Sequence, residues 1–257
     1  QAKAKGMLVK ARCSTRPDML TQPQLERLKA LGLDMIELGI QSFDDTSLRT
    51  SRRDYTGEVA RRACAMVRES GLDLGIQLMP GIPGSSPASF LADIETTLAM
   101  SPSQVRLYPC QVLSATRLED MWRDGAYTPW PLDSTIVLLV LAVSRLWSRS
   151  IRVIRMGLSP EQSLEAARLA GPWHPALGFL VRSRVLAAHI GCLLSAMPNR
   201  AYTLLVPERY LSEVMGHKGD RLPLLQRMGL SRSNIRSHSG ELFYLYSNEC
   251  VESELSC

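Results

Sequence analysis

No two cysteines of this chain stand at the close spacing of a metal-binding motif. Six are present, at positions 13, 64, 110, 192, 250 and 257. None of the intervals matches the two- or three-residue spacing of zinc or iron–sulfur ligand motifs. A disulfide framework is equally out of place in a chain of 257 residues with 45% hydrophobic content, which can bury a core without covalent staples. The thiols read as buried, with Cys13 and Cys110 standing apart because both fall near expected strand ends. Long hydrophobic runs are missing too. The longest, Thr135–Val143, is far short of the roughly 20 residues that span a bilayer, so no membrane partner is expected. Gln1–Lys5 has no apolar signal core, which leaves the cytoplasm as the expected location. Neither sign of charge dominates. A net charge of +5 admits an anionic partner such as RNA, and it is also what a solvated basic surface gives.

What is present is alternation. Met7–Ala11, Met35–Gln41, Leu72–Met79, Gln104–Tyr108 and Ile151–Arg155 read as strands, and Gln22–Leu31, Gly57–Ser70, Pro87–Met100 and Asp133–Ser148 as helices. Gly32 and Gly71 close two of the helices, and Asp133 or Ser134 is the expected N-cap of the last. Strands recur about every 30–40 residues, the period of βα units, which forces a parallel sheet. The nearly continuous apolar run Met35–Ile40 fits a sheet covered on both faces.

The expected fold is therefore α/β, a partial (βα) TIM-like barrel over residues 1–156. A helical connector over 157–197 follows, with helices at Pro160–Leu169 and Leu177–Ala196, and then a small α+β domain over 198–257. Only about four or five units are visible where a closed barrel needs eight. The chain begins almost inside a strand, so the expectation is a piece of a larger protein lacking its N-terminal part. An open barrel exposes strand edges, which favours self-association.

In a parallel barrel, side chains at the C-terminal ends of the strands converge where loops close over a ligand. Ser14, Gln41, Gln77 and Tyr108 are the polar residues at four successive strand ends. The Gln41 amide both donates and accepts, and Arg53 carries a permanent charge on a fork that matches a carboxylate. Gly81 and Gly84, in the run Pro80-Gly-Ile-Pro-Gly84, let a ligand approach the main chain without a Cβ in the way. Singly, each has a plainer reading as a rim hydrogen bond, a solvated arginine or a turn. Their order along consecutive strands is what makes them a candidate site.

In that order and at that spacing these segments resemble the radical S-adenosylmethionine (SAM) superfamily, in the branch of the Elongator catalytic subunit and oxygen-independent coproporphyrinogen oxidases. The resemblance covers about residues 7–156 and rests on Ser14-Thr-Arg-Pro-Asp18, on Gly39-Ile-Gln-Ser-Phe43 through Arg53, on Leu78–Gly84, and on Arg106-Leu-Tyr-Pro109 with Thr116–Leu118 and Trp122–Tyr127. It implies a barrel of the radical SAM type. It also implies that Gln41 contacts the ribose or methionine part of SAM, that Arg53 binds its carboxylate and that the Met79–Gly84 loop passes the adenine. Gln77 sits where the two kinds of relative carry different residues, so its role stays open, and Ser14 and Tyr108 are further cofactor candidates. The full-length family enzyme holds a [4Fe–4S] cluster on a CxxxCxxC loop that this sequence does not contain, so no cluster is expected in this chain, which is expected to be inactive alone. Either the loop belongs to a missing upstream part, or the barrel is a degenerate scaffold. Metal ligands, catalytic residues and substrate are left unassigned.

The last domain resembles a K-homology element, in which a GxxG turn between two helices brings backbone amides to nucleic-acid phosphates. Gly216-His-Lys-Gly219 is that turn, Lys218 adds charge, and Asp220 and Glu213 dilute it. Gly216, Lys218 and Gly219 are therefore candidate RNA contacts, with an ordinary helix–helix turn as the other reading. The Gly171-Pro-Trp-His-Pro175 break either brings His174 to the mouth of the site or is a rigid interdomain turn.

Overall fold

The structure is a computed structural model that describes residues 6–158, 161–197 and 201–247. The chain divides into two units, 1–177 and 178–257. The first is built on a five-stranded, all-parallel sheet. Its strands are β1 (Arg12–Thr15), β2 (Met35–Gln41), β3 (Asp73–Leu78), β4 (Gln104–Leu107) and β6 (Arg152–Met156), which pair in that order. Between them run α1 (Gln22–Ala30), α2 (Asp45–Thr50), α3 (Gly57–Glu69), α4 (Pro87–Met100), α5 (Arg117–Arg123) and α6 (Leu132–Ser148). This is the α/β arrangement of successive βα units.

Local chemistry sets the boundaries. The Thr56 hydroxyl accepts from the Val59 amide to start α3, and the helix ends before Gly71 at φ +73°, a conformation glycine adopts without cost. Ser86 and Ser89 form a reciprocal cap at the start of α4, with Pro87 in its first turn. α6 begins one residue earlier than expected, with Pro131 at the N-cap and Asp133 inside the first turn.

One expectation is corrected. The first strand is Arg12–Thr15, not Met7–Ala11. Met7 and Val9 are 70% and 90% exposed, and pairing starts only where the Asp34 carboxylate takes the Ala11 amide at 2.7 Å. The expected cover on both faces is present along β2, where every residue but Gly39 is buried, and the two faces differ in kind. Ile36, Leu38 and Ile40 alternate with Glu37, Gly39 and Gln41 along β2, and the polar set shares its face with Gly75 and Gln77 of β3 and Gln104 and Arg106 of β4. The apolar set forms the core with Leu74, Ile76, Leu78, Val105 and Leu107.

Residues 157–177 stay with the first unit. α7 (Gln162–Ala167) stops where Arg168 turns extended, and β7 (Arg168–Ala170) pairs antiparallel with β5 (Val112–Leu113), so the helix expected to reach Leu169 is cut short. The Arg168 guanidinium lies over the Trp173 ring at 4.5 Å, which reinforces the break. α8 (Leu177–Ser195) goes with the second unit from Gly178 on, so the division falls at 177/178 rather than at 156 and 197. Among the described residues α8 is the one helix long and apolar enough to cross a membrane by length and composition. Within it, Arg182 pairs with Glu213 at 3.1 Å.

The second unit continues with β8 (Tyr202–Pro207), α9 (Leu211–Met215), α10 (Leu222–Arg227), β9 (Ile235–His238) and β10 (Tyr244–Ser247). The sheet order is β10-β8-β9, with β9 parallel and β10 antiparallel to β8. Tyr202, Leu204, Val206 and Ile235 are buried on one face of this sheet, and the other face is open.

Candidate cofactor site

A buried carboxylate organises the polar face of the first sheet. Glu37, only 2% exposed, accepts from the Ser14 hydroxyl at 3.2 Å and the Gln104 amide at 3.5 Å. It lies 3.1 Å from Nε of Arg106 and 3.6 Å from Nη1 of Arg12. Arg106 in turn donates to the Tyr108 hydroxyl at 3.3 Å. A Cβ on Gly75 would meet the Glu37 side chain at 3.3 Å, so the glycine leaves Glu37 its room. Ser14 and Tyr108 thus reach one network, through a glutamate and an arginine that sequence reasoning missed. An acid inside an apolar strand run was the available signal.

At the C-terminal edge of that face, Gln41 and Gln77 meet, with Nε2 of Gln77 donating to Oε1 of Gln41 at 3.5 Å. Gln41 sits at φ +63°, after a register shift that begins at Leu38. A non-glycine residue in that region costs on the order of 1 kcal/mol, so its surroundings must hold it there. The Gln41 carbonyl accepts the Met79 amide at 2.8 Å, and the Tyr55 hydroxyl lies 2.9 Å from the Ile40 carbonyl, within donating distance. From α4, Asp93 takes the Ser42 hydroxyl on one oxygen and the Phe43 amide on the other, each at 2.7 Å. Burial pushes the Asp93 carboxyl up to about 6 against the pull of those two bonds. Burial likewise pushes Tyr55 up to about 12, opposed by the nearby charge of Arg53. A Cβ on Gly39 would lie 2.9 Å from Nε2 of Gln41, so this glycine clears the space that the Gln41 amide occupies.

Beside these residues lies a cleft of about 170 Å³, lined by Thr50–Arg53, Met79, Ile82, Pro83, Cys110, Arg117, Leu118 and Met121. Arg53 is half-buried, and its backbone amide is spent on the Leu48 carbonyl at 2.8 Å. Among the described residues no carboxylate lies within ion-pair distance of its guanidinium. Its charge reaches the Cys110 thiol, which burial pushes up while Tyr127 and Arg53 pull it down. Gln41, Gln77, Ser14 and Tyr108 do not line this cleft. The structure gathers Gln41 with Gln77, and Arg53 with the loop after β3, as two groups at the same strand ends.

The glycines of that loop have a different reason from open approach. A Cβ on Gly81, at φ +84°, would meet the Trp130 indole at 3.3 Å, and one on Gly84, at φ +81°, would meet Oγ1 of Thr50 at 2.7 Å. The space that each glycine leaves is filled by the chain itself. The Tyr127 hydroxyl fixes the loop by donating to the Gly81 carbonyl at 2.6 Å.

An unpaired guanidinium beside an apolar loop, with two glutamine amides nearby, fits an amino-acid carboxylate joined to a nucleoside. Among the described residues no group of three His, Cys, Asp or Glu could hold a metal, and Cys64 is buried with its thiol pushed up to about 12. Cys250 and Cys257 lie outside the described residues. His174 serves a turn, with Nδ1 accepting the Ala176 amide at 3.0 Å.

In the second unit, two of the four amides of the Gly216–Gly219 turn, those of Gly216 and Gly219, are spent on nearby carbonyls, as are the two that follow it. Gly216 donates to Ser212, Gly219 to Gly216, Asp220 to His217 and Arg221 to Met215. Lys218 sits at φ +52°.

Two family models match the chain, the radical SAM superfamily over residues 3–96 and the radical SAM C-terminal domain over 102–186. A tRNA uridine(34) acetyltransferase from Methanocaldococcus infernus is 32% identical over 157 residues, which is 59% of this chain and 29% of that protein. Elongator complex protein 3 of Mus musculus is 28% identical over 149 residues, covering 55% of this chain and 27% of its own length. The solved archaeal Elp3 from Methanocaldococcus infernus, with an N-terminal deletion, superposes with a TM-score of 0.63 at 27% identity. That match covers 70% of this chain and 42% of the solved one. The chain spans under a third of the length of these curated relatives.

Proposed function

This chain belongs to the radical SAM superfamily, and from that premise we propose that it is the SAM-holding part of an enzyme that modifies a tRNA uridine. One observation carries the cofactor half of this reading, the half-buried Arg53 guanidinium with no carboxylate partner among the described residues. SAM, when bound in the full-length enzymes of the family, supplies radical chemistry in concert with a [4Fe–4S] cluster. Arg53 binds the methionine carboxylate as a charged fork. Gln41 and Gln77 orient the ribose hydroxyls, each offering both a donor and an acceptor. Met79 and Ile82 form the dry wall against which the adenine lies. Glu37 and Arg106 hold the polar face rigid behind these groups. No step through a cluster is assigned to these residues. The tRNA half of the reading is supported by the archaeal relative, a tRNA uridine(34) acetyltransferase.

The test is calorimetric titration of SAM into the chain and into Arg53→Gln and Arg62→Gln, the latter an exposed arginine away from the cleft. A charge-assisted hydrogen bond is worth about 1.5–3 kcal/mol, so Arg53→Gln should weaken binding by about tenfold or more and Arg62→Gln should not. Decarboxylated SAM should bind both chains alike. Equal SAM affinity for wild type and Arg53→Gln would overturn the assignment.

A further inference from the structure

The open face of the second unit's sheet carries a row of rings. Tyr244 and Tyr246 point to the same side of β10, their rings parallel within 1° and their centroids 6.3 Å apart. His238 of β9 follows at 5.4 Å from Tyr244, held in place because its Nδ1 accepts the Gly240 amide and its Nε2 meets the Leu242 carbonyl. The two tyrosines are 44% and 41% exposed, while Tyr202, Leu204, Val206 and Ile235 of the same sheet are buried. Register places Leu205 and Arg236 on this face as well. Arg236 is exposed and has no ion-pair partner among the described residues, and the strand positions of the face carry no acid. Between 178 and 247 the sequence has nine Arg and Lys against four Asp and Glu, with three more glutamates at 249, 252 and 254.

We propose that this face is a stacking platform for single-stranded RNA, with Tyr244, Tyr246 and His238 receiving successive bases and Arg236 meeting the backbone. Exposed rings one side-chain repeat apart on a strand offer flat surfaces to consecutive unpaired bases, which stack on aromatic rings whatever their identity. A duplex hides its base faces and has nothing to offer such a row. The alternative phosphate site, the Gly216–Gly219 turn, has the amides of Gly216 and Gly219 engaged. The choice of RNA over another polyanion rests on reading the chain as part of a tRNA-modifying enzyme, whereas the ring geometry does not depend on it.

The experiment is fluorescence anisotropy of a labelled uridine dodecamer titrated with the whole chain, without SAM, beside an RNA duplex of equal length. The single strand should bind at least tenfold more tightly. Tyr244→Ala and Tyr246→Ala should each weaken it by roughly five- to 150-fold. Phenylalanine at either position should restore binding, and leucine, which keeps bulk without a π face, should not. Arg236→Gln should lower the salt slope by about one. Equal binding of duplex and single strand, full binding by the leucine variants, or a loss confined to Lys218→Glu would each overturn the proposal. Failure here leaves the Arg53 result untouched, because no arm uses the cofactor cleft.

Discussion

Asp93→Asn tests whether a buried carboxylate secures the end of β2. Asp93 is 5% exposed, and its folded-state pKa of about 6 lies above an ordinary value of 3.8. The folded chain therefore binds this proton more tightly than the unfolded chain does. The contribution runs opposite to that of a salt-bridged carboxylate. It is greatest below pH 3.8 and is lost as pH rises through about 6. The gap amounts to about 3 kcal/mol, of which roughly 1.4 kcal/mol falls between about pH 5 and 7.5. Asparagine keeps a carbonyl for the Phe43 amide and an NH2 that the Ser42 hydroxyl accepts, and it does not titrate. Urea unfolding at the two pH values gives the double difference that cancels every other group. Wild type should gain about 1.4 kcal/mol on the variant between about pH 7.5 and 5. A difference that does not move with pH would refute the reasoning. One that moves the other way would mean the two hydrogen bonds outweigh burial.

Three further outcomes follow from contacts described above. Glu37→Gln should destabilise by roughly 2–4 kcal/mol because it leaves Arg106 and Arg12 without their anion; adding Arg106→Met should recover much of that loss in a denaturant titration. Gly84→Ala should cost about 1–3 kcal/mol from its positive φ and the clash with Thr50, and combining it with Thr50→Ala should return only part, since the φ term remains. Tyr127→Phe should lower stability by about 1–2 kcal/mol by orphaning the Gly81 carbonyl, read as a lower melting temperature.

The sequence was most legible where one face of an element is uniformly apolar. β2 and α4 fall where the pattern puts them because Ile36, Leu38 and Ile40, or Phe90 and Ile94, repeat at the strand or helix period. Asp93 and Thr97 lie on that same α4 stripe, which was a sign that a polar group is buried there, but its partners Ser42 and Phe43 come from another element. The Glu37–Arg106 pair was illegible for the same reason, since neither residue discloses the other across two strands. Gly81 and Gly84 were singled out for ligand approach, while only the folded chain shows Trp130 and Thr50 occupying the space against them. Met7–Ala11 misled because apolar residues without a pairing neighbour remain outside the sheet.

The left-handed Gln41 sets a trap for anyone improving this protein by selection. Glycine at that position would relax the backbone, so a library sorted only for survival at high temperature should enrich Gln41→Gly. The winners would be sturdier and would have discarded the amide that meets Gln77. At this one residue, durability and recognition are competing objectives, and a screen that scores only the first will erase the second.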